Sequence, residues 1–183
     1  MYIKFNPDSD ILIVCLYVND LIYTGNNPKV ISKFKEAMIS HFAMIDLGLI
    51  SYFLGIEVSQ TNHGIFITQK KYAGDILKSF KMDTAKSMLT SAEEKLKLVK
   101  DRGGEFVDAT NFRRLVGSLR HLTSTKSNIN FGVGLIGRLM ESPRQSYWQA
   151  AKRILRYIRG TQSDGIFYPY ANNSSLVGFT DSD

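Results

Sequence analysis

The chain has 183 residues, 44% of them hydrophobic, and a net charge of +6. That length and apolar share suit one domain of ordinary size or two small lobes, and they exclude a disordered chain. The single cysteine, Cys15, excludes an internal disulfide and suits a reducing compartment, and the three histidines (His41, His63, His121) lie too far apart in sequence for zinc spacing. The apolar run at 11–18 is too short to span a membrane and follows Asp8 and Asp10 rather than a basic segment. The expected location is therefore intracellular, in cytoplasm or nucleus, with no secretion and no membrane partner.

In chain order, residues 1–5 predict a short strand, and Asn6-Pro7-Asp8-Ser9-Asp10 is turn chemistry. Two β-prone runs, 11–18 and 21–25, flank Asn19-Asp20 and predict a hairpin with those two residues as its turn. Asn26-Asn27-Pro28 opens a helix on which Val30, Phe34, Ala37 and Met38 share a face, and Asp46-Leu47-Gly48 ends that unit. "YFLGIEVSQTNHGIFITQ", residues 52–69, predicts a second hairpin turning at Thr61-Asn62-His63-Gly64, followed by a helix over 70–80. Residues 84–104 are polar and read as a connector or mobile loop. Three helices follow, over 110–123, 129–140 and 146–159, the last stopping at Gly160 as a C′ residue. The chain closes with strands at 165–168 and 176–179. The fold class expected is α+β.

Charge is concentrated. Residues 110–160 hold ten basic side chains against one acid, Glu141, a local +9 in a chain whose total is +6. Such an excess marks a candidate polyanion surface, and Lys152, Arg156 and Arg159 share one face of the last helix, opposite Trp148, Ala151, Leu155 and Ile158. "GVGLIG", residues 132–137, matches a dinucleotide-binding fingerprint by letter. It lies within a helical period with no strand before it and no acid at the required distance after it, so close helix packing is expected instead.

"ILIVCLYVNDLIYTG" resembles the Tyr-Val-Asp-Asp hairpin of copia-type retrotransposon reverse transcriptases. "DLGLISYFLGIEV" is similar to the primer-grip segment of that family, "FRRLVGSLRHLTSTKSNINFGVGLIGRLM" and "YWQAAKRILRYIRGT" to its later helices, and "LVGFTDSD" to the first strand of the attached ribonuclease H domain. The resemblance implies a truncated palm over 1–83 with the primer-grip hairpin, a connector at 84–109, a basic thumb or connection at 110–160, and the start of ribonuclease H at 161–183. It implies an RNA-directed DNA polymerase of a Pol polyprotein that uses Mg2+ or Mn2+. Two hairpin aspartates and one from an earlier strand would hold the metals, because hard cations want anionic oxygen ligands.

This chain departs from that pattern. Asn19 replaces the first hairpin aspartate, Asp20 is the remaining carboxylate, and Asp181 matches one ribonuclease H acid without its partners. Metal at Asp20 is expected to be weak or lost, and the chain is expected to be inactive alone. By the resemblance, Phe53-Leu54-Gly55 forms the primer-grip turn. Arg113, with Arg114 beside it, Gly117 and His121 at steps of four line a helix face against an RNA–DNA or DNA duplex. "TKSNI" at 125–129 stands where relatives show Thr-Arg-Pro-Asp-Ile, which weakens the start of the next helix. Two further readings stand beside the family's polymerase: a non-enzymatic nucleic-acid-binding module, and a decayed retroelement reading frame.

Overall fold

The fold is taken from a computed structural model that describes residues 1–5, 9–93 and 104–170. It is α+β, and the chain divides into two compact units, Met1–Ile50 and Ser51–Asp183. The expected 1–83 segment thus contributes to both units. Its second half shares a core with the expected helical segment.

The first unit is an antiparallel sheet in the order β1 (Tyr2–Phe5), β2 (Ile11–Tyr17), β3 (Asp20–Gly25), with helix α1 (Pro28–His41) packed against β3. The Asn27 side chain caps α1 by accepting from the Lys29 amide at 2.9 Å, and Pro28 sits where its missing N–H costs nothing. Val30, Phe34, Ala37 and Met38 are expected on one face of α1, and of these Phe34 meets Tyr23 edge to face at 5.4 Å. Asp46 pairs with Lys35 and accepts from the Gly48 amide, closing the unit.

The hairpin turn differs by one residue from expectation. Tyr17 pairs with Asp20, so Val18-Asn19 is the turn and Asp20 opens β3. Val18 takes φ +52, and strand pairing imposes this register because each one-residue slip would turn every side chain of β3 to the other face.

In the second unit, β4 (Tyr52–Phe53), β5 (Ile56–Thr61), β6 (Gly64–Thr68) and β7 (Gly165–Pro169) form one antiparallel sheet in that order. The second hairpin turns at Asn62-His63, with Thr61 opposite Gly64. The strand expected at 165–168 pairs with β6 throughout its length. Helices α2 (Lys70–Ser79), α3 (Ala109–Leu122), α4 (Asn130–Gly137) and α5 (Gln145–Gly160) bury Leu77, Phe112, Leu115, Leu119, Ile136, Leu155 and Ile158 in a common core. Each such side chain contributes about 1.5–3 kcal/mol when fully buried.

The helix expected over 129–140 is a 3₁₀ turn at Ser127–Ile129 leading into α4, and neither start carries a side-chain cap. The Ncap residues, Lys126 and Ile129, have no side-chain oxygen to accept from the first helical amides. The 132–137 motif is helical throughout. A Cβ at Gly132 would lie 3.2 Å from Ile154 Cδ1, while one at Gly134 would meet no described residue within 4 Å, so packing explains the first glycine and nothing among the described residues explains Gly134. Gly160 is the last residue of α5 and lacks the left-handed backbone of a C′ glycine. Its reason is close approach: a Cβ there would sit 3.1 Å from Ser87 Cβ.

Candidate nucleic-acid interface

The hairpin tip comes first in the chain. Only Val18 among the tip residues has positive φ, the pattern of a type II′ turn, whose first central position favours glycine. A β-branched residue there stores about 1–3 kcal/mol of strain. Val18, Asn19 and Asp20 are all exposed. The tip offers one carboxylate oxygen pair and one amide oxygen. Among the described residues, no three His, Cys, Asp or Glu side chains converge on a point. A two-metal centre needs several anionic ligands, so the donors of this tip do not fit one by themselves. Asp181 lies outside the described residues.

The second element is the turn joining β4 to β5. Phe53 pairs with Ile56, and both turn residues have positive φ, +48 at Leu54 and +82 at Gly55. This is the type I′ geometry that matches strand twist. Leu54 is exposed, and Phe53 and Gly55 are half-buried. Gly55 is required twice: for its φ, and because a Cβ would lie 3.1 Å from His121 Nε2.

His121 comes from the last turn of α3. Its Nε2 lies 3.0 Å from the Leu54 carbonyl oxygen. A carbonyl only accepts, so Nε2 carries the proton and donates. The ring meets Tyr72 of α2 edge to face, centroids 4.8 Å apart at 88°. Three elements thus converge on one histidine.

Helix α3 presents the rest of this face. Asp108 caps it by accepting from the Thr110 and Asn111 amides. Gly117 is exposed, and a Cβ there would meet nothing within 4 Å, so among the described residues it packs against no other helix. Arg113 is exposed with its Nε donating to the Met140 carbonyl at 3.3 Å, and the exposed Arg114 lies over the Phe80 ring at 4.9 Å. In each case one interaction holds the side chain at the surface of the unit.

The basic face of α5 is used differently. Arg159 Nε donates to the Asp83 carbonyl at 2.6 Å and Arg156 Nε to the Lys86 carbonyl at 2.7 Å. Arg153 reaches the Thr90 hydroxyl at 2.9 Å and the Glu93 carboxylate at 3.5 Å. The Met88 amide donates back to the Arg156 carbonyl. The described part of the expected mobile loop, residues 84–93, is therefore fastened along α5, antiparallel to it. Lys152 lies against the Trp148 ring, 5.8 Å from its centroid. The physical reason is that a polar segment of this length still has backbone carbonyls to satisfy, and a helical row of arginines supplies donors at matching intervals.

Sequence reasoning also passed over Lys126. It is 3% exposed, and its Nζ donates to the carbonyls of Thr161 and Asp164, tying the turn after α3 to the turn before β7. Burial pushes its pKa below the ordinary lysine range, with the Asp164 charge opposing that shift. Next to it the Thr125 hydroxyl donates to the buried Gln69 side chain at 2.8 Å. The only signal in the sequence was a lysine beside an apolar helix start, which is too common to mark a core position. Tyr72 likewise carried no signal, being one aromatic on an amphipathic helix.

Comparison with known proteins gives the family. The family model for "Reverse transcriptase (RNA-dependent DNA polymerase)" matches residues 1–94. The retrovirus-related Pol polyprotein of transposon RE1 from Arabidopsis thaliana is 35% identical over 94% of this chain, and the match covers 12% of that protein. The retrovirus-related Pol polyprotein of transposon TNT 1-94 from Nicotiana tabacum is 31% identical over 100% of this chain and 14% of its own length. An uncharacterized mitochondrial protein of Arabidopsis thaliana is 33% identical over 94% of this chain and 71% of its own length. No solved structure matches. The chain belongs to the reverse transcriptase (RNA-dependent DNA polymerase) family. It corresponds to a stretch of a copia-type retrotransposon Pol polyprotein, 12% of the length of the RE1 protein. Among the described residues no helix is long and apolar enough to cross a membrane.

Proposed function

We propose that this chain supplies the C-terminal palm hairpins and the thumb-like helices of a copia-type reverse transcriptase. In this reading it holds the backbone of an RNA–DNA or DNA duplex without itself polymerising. The observation that carries the binding half is the open face of α3: Gly117 exposed, with no described residue within 4 Å of a Cβ, flanked by Arg113 and Arg114. Gly117 lets the helix approach a groove, and the arginines meet phosphates, which position a duplex without reading its bases. Affinity then comes from released counterions. With roughly four to six phosphates neutralised, log K should fall with log salt at a slope of about −4 to −5 on a B-form duplex. Arg113→Ala with Arg114→Ala should lower affinity and flatten the slope by about one unit for each phosphate left without its arginine. Gly117→Leu should weaken binding with the charge unchanged. Duplex affinity equal to that of a scrambled chain of the same charge, or a Gly117→Leu variant that binds like its parent, would overturn the reading.

The inactive half rests on Asn19 beside Asp20. One carboxylate and one amide leave a divalent cation bound no tighter than the millimolar range typical of weakly charged sites, about 10⁻³ M or looser. Asn19→Asp tightens that site without creating polymerase activity, because two carboxylates remain fewer than the three the family uses. Primer extension by residues 1–183 with Mg2+ or Mn2+ that Asp20→Ala abolishes would sink this half.

A further inference from the structure

We propose that His121 is a positioning residue: it latches the Leu54-Gly55 turn onto α3, so that turn and helix meet a duplex as one preformed surface. The proposal rests on the nucleic-acid reading above and departs from it in one respect. The resemblance assigns His121 to phosphate or sugar, whereas here its Nε2–H is already committed to the Leu54 carbonyl at 3.0 Å.

Three observations point to a latch. Leu54 holds φ +48 in a conformation that costs a side-chain-bearing residue about 1–2 kcal/mol. An outside partner on a two-residue turn that carries this cost narrows the turn to one geometry. The hydrogen bond supplies it, and it spans 67 residues. The ring is itself held, standing at 88° to Tyr72 with 4.8 Å between centroids. It cannot swing away without giving up that edge-to-face packing. A Cβ at Gly55 would lie only 3.1 Å from Nε2, so the turn and ring are fitted to each other and a larger residue at 55 would make one of them give way by a few tenths of an ångström. Released from His121, the turn samples other conformations, and duplex affinity falls by the fraction of time it spends in the competent one.

The test uses the full 183-residue chain, with variants His121→Ala and His121→Gln, since a glutamine amide can donate to the same carbonyl. Two readouts are taken. The first needs no nucleic acid: ¹⁵N chemical shifts of the His121 ring, and amide exchange across residues 53–58. The second is affinity for a short RNA–DNA hybrid across a salt series. The expected results are an Nε2–H tautomer, faster exchange at 53–58 in His121→Ala and parental exchange in His121→Gln. His121→Ala should bind about tenfold more weakly if the free turn is competent about a tenth of the time. Its salt slope should be unchanged, and His121→Gln should recover the affinity. An Nδ1–H tautomer, or exchange at 53–58 that ignores His121→Ala, overturns the latch. So does a slope that drops by about 0.9 in His121→Ala with no rescue by glutamine, since that is the mark of a side chain bound directly to phosphate. If the parent chain binds no duplex, the nucleic-acid reading fails, and the tautomer and exchange results still decide the latch.

Discussion

At the scale of single residues, the chain departs from local preference where the hairpins turn. Val18 and Leu54 both hold positive φ, and the two are explained differently. Leu54 has a partner in His121, whereas the strain at Val18 follows from β2–β3 register. Val18→Gly should therefore relieve about 1–3 kcal/mol of strain at a cost of about 0.5–1 kcal/mol in chain entropy. A net gain of about 1 kcal/mol in the stability of the first unit is expected, read as a higher denaturant midpoint with the same slope. The exposed pair Lys35–Asp46 behaves differently. The hydrogen bond to Lys35, with the Gly48 amide, lowers the Asp46 pKa below the ordinary carboxylate range, and Asp46 raises that of Lys35 above the ordinary lysine range. Their contribution is present between the two ordinary values. On the acid side it is lost as pH falls through the lowered Asp46 pKa, and on the alkaline side as pH rises through the raised Lys35 pKa. NMR titration of the Asp46 carboxyl should place its midpoint below that of a free aspartate, and Lys35→Met should move it back.

At the scale of elements, α3 and α5 have similar amphipathic patterns but opposite uses of their polar faces. The polar face of α3 stays open around Gly117, while the arginines of α5 hold residues 83–93. Arg156→Ala leaves the Lys86 carbonyl without its charged donor. The removal of such a bond costs about 1.5–3 kcal/mol. We expect amide exchange and protease cleavage to rise across 83–93, with duplex affinity little changed. Arg156→Lys should recover only part of this, because the ammonium lacks an Nε–H held in a fixed plane. A duplex affinity that falls as far as in the Arg113 and Arg114 variants would show instead that α5 meets phosphate.

At the scale of the whole molecule, the two units are built to different standards. In the second, four helices bury a continuous cluster. In the first, Leu12 is the one described hydrophobic residue that is buried. A body of this size with so little buried surface is marginal. Native-state hydrogen exchange should find low protection throughout 1–50 and near-global protection at Leu115, Leu119, Leu155 and Ile158. Denaturant should melt the first unit at the lower concentration. Coincident transitions for both units would contradict this account.

The sequence by itself determined the family and the local patterns of many described elements. The apolar periods of α3 and α5, the Asn27-Pro28 helix start and the Asn62-His63 turn are local patterns. They are written in neighbouring residues, and so are the motifs shared with Pol polyproteins. What only the tertiary structure decided is which polar groups are spent on the fold. His121 bonds a carbonyl 67 residues away, Arg159 one 76 residues away, and Lys126 is buried to join two turns. In the sequence His121 and Arg159 were legible as candidate nucleic-acid contacts, and Lys126 as one basic residue among ten. A basic side chain reads the same in sequence whether solvent, a phosphate or a distant carbonyl satisfies it, since its partner depends on which surfaces the packed core brings together. The same reason separates Gly117 from Gly160: both are helical glycines in the sequence, and only packing leaves the first open and covers the second with Ser87.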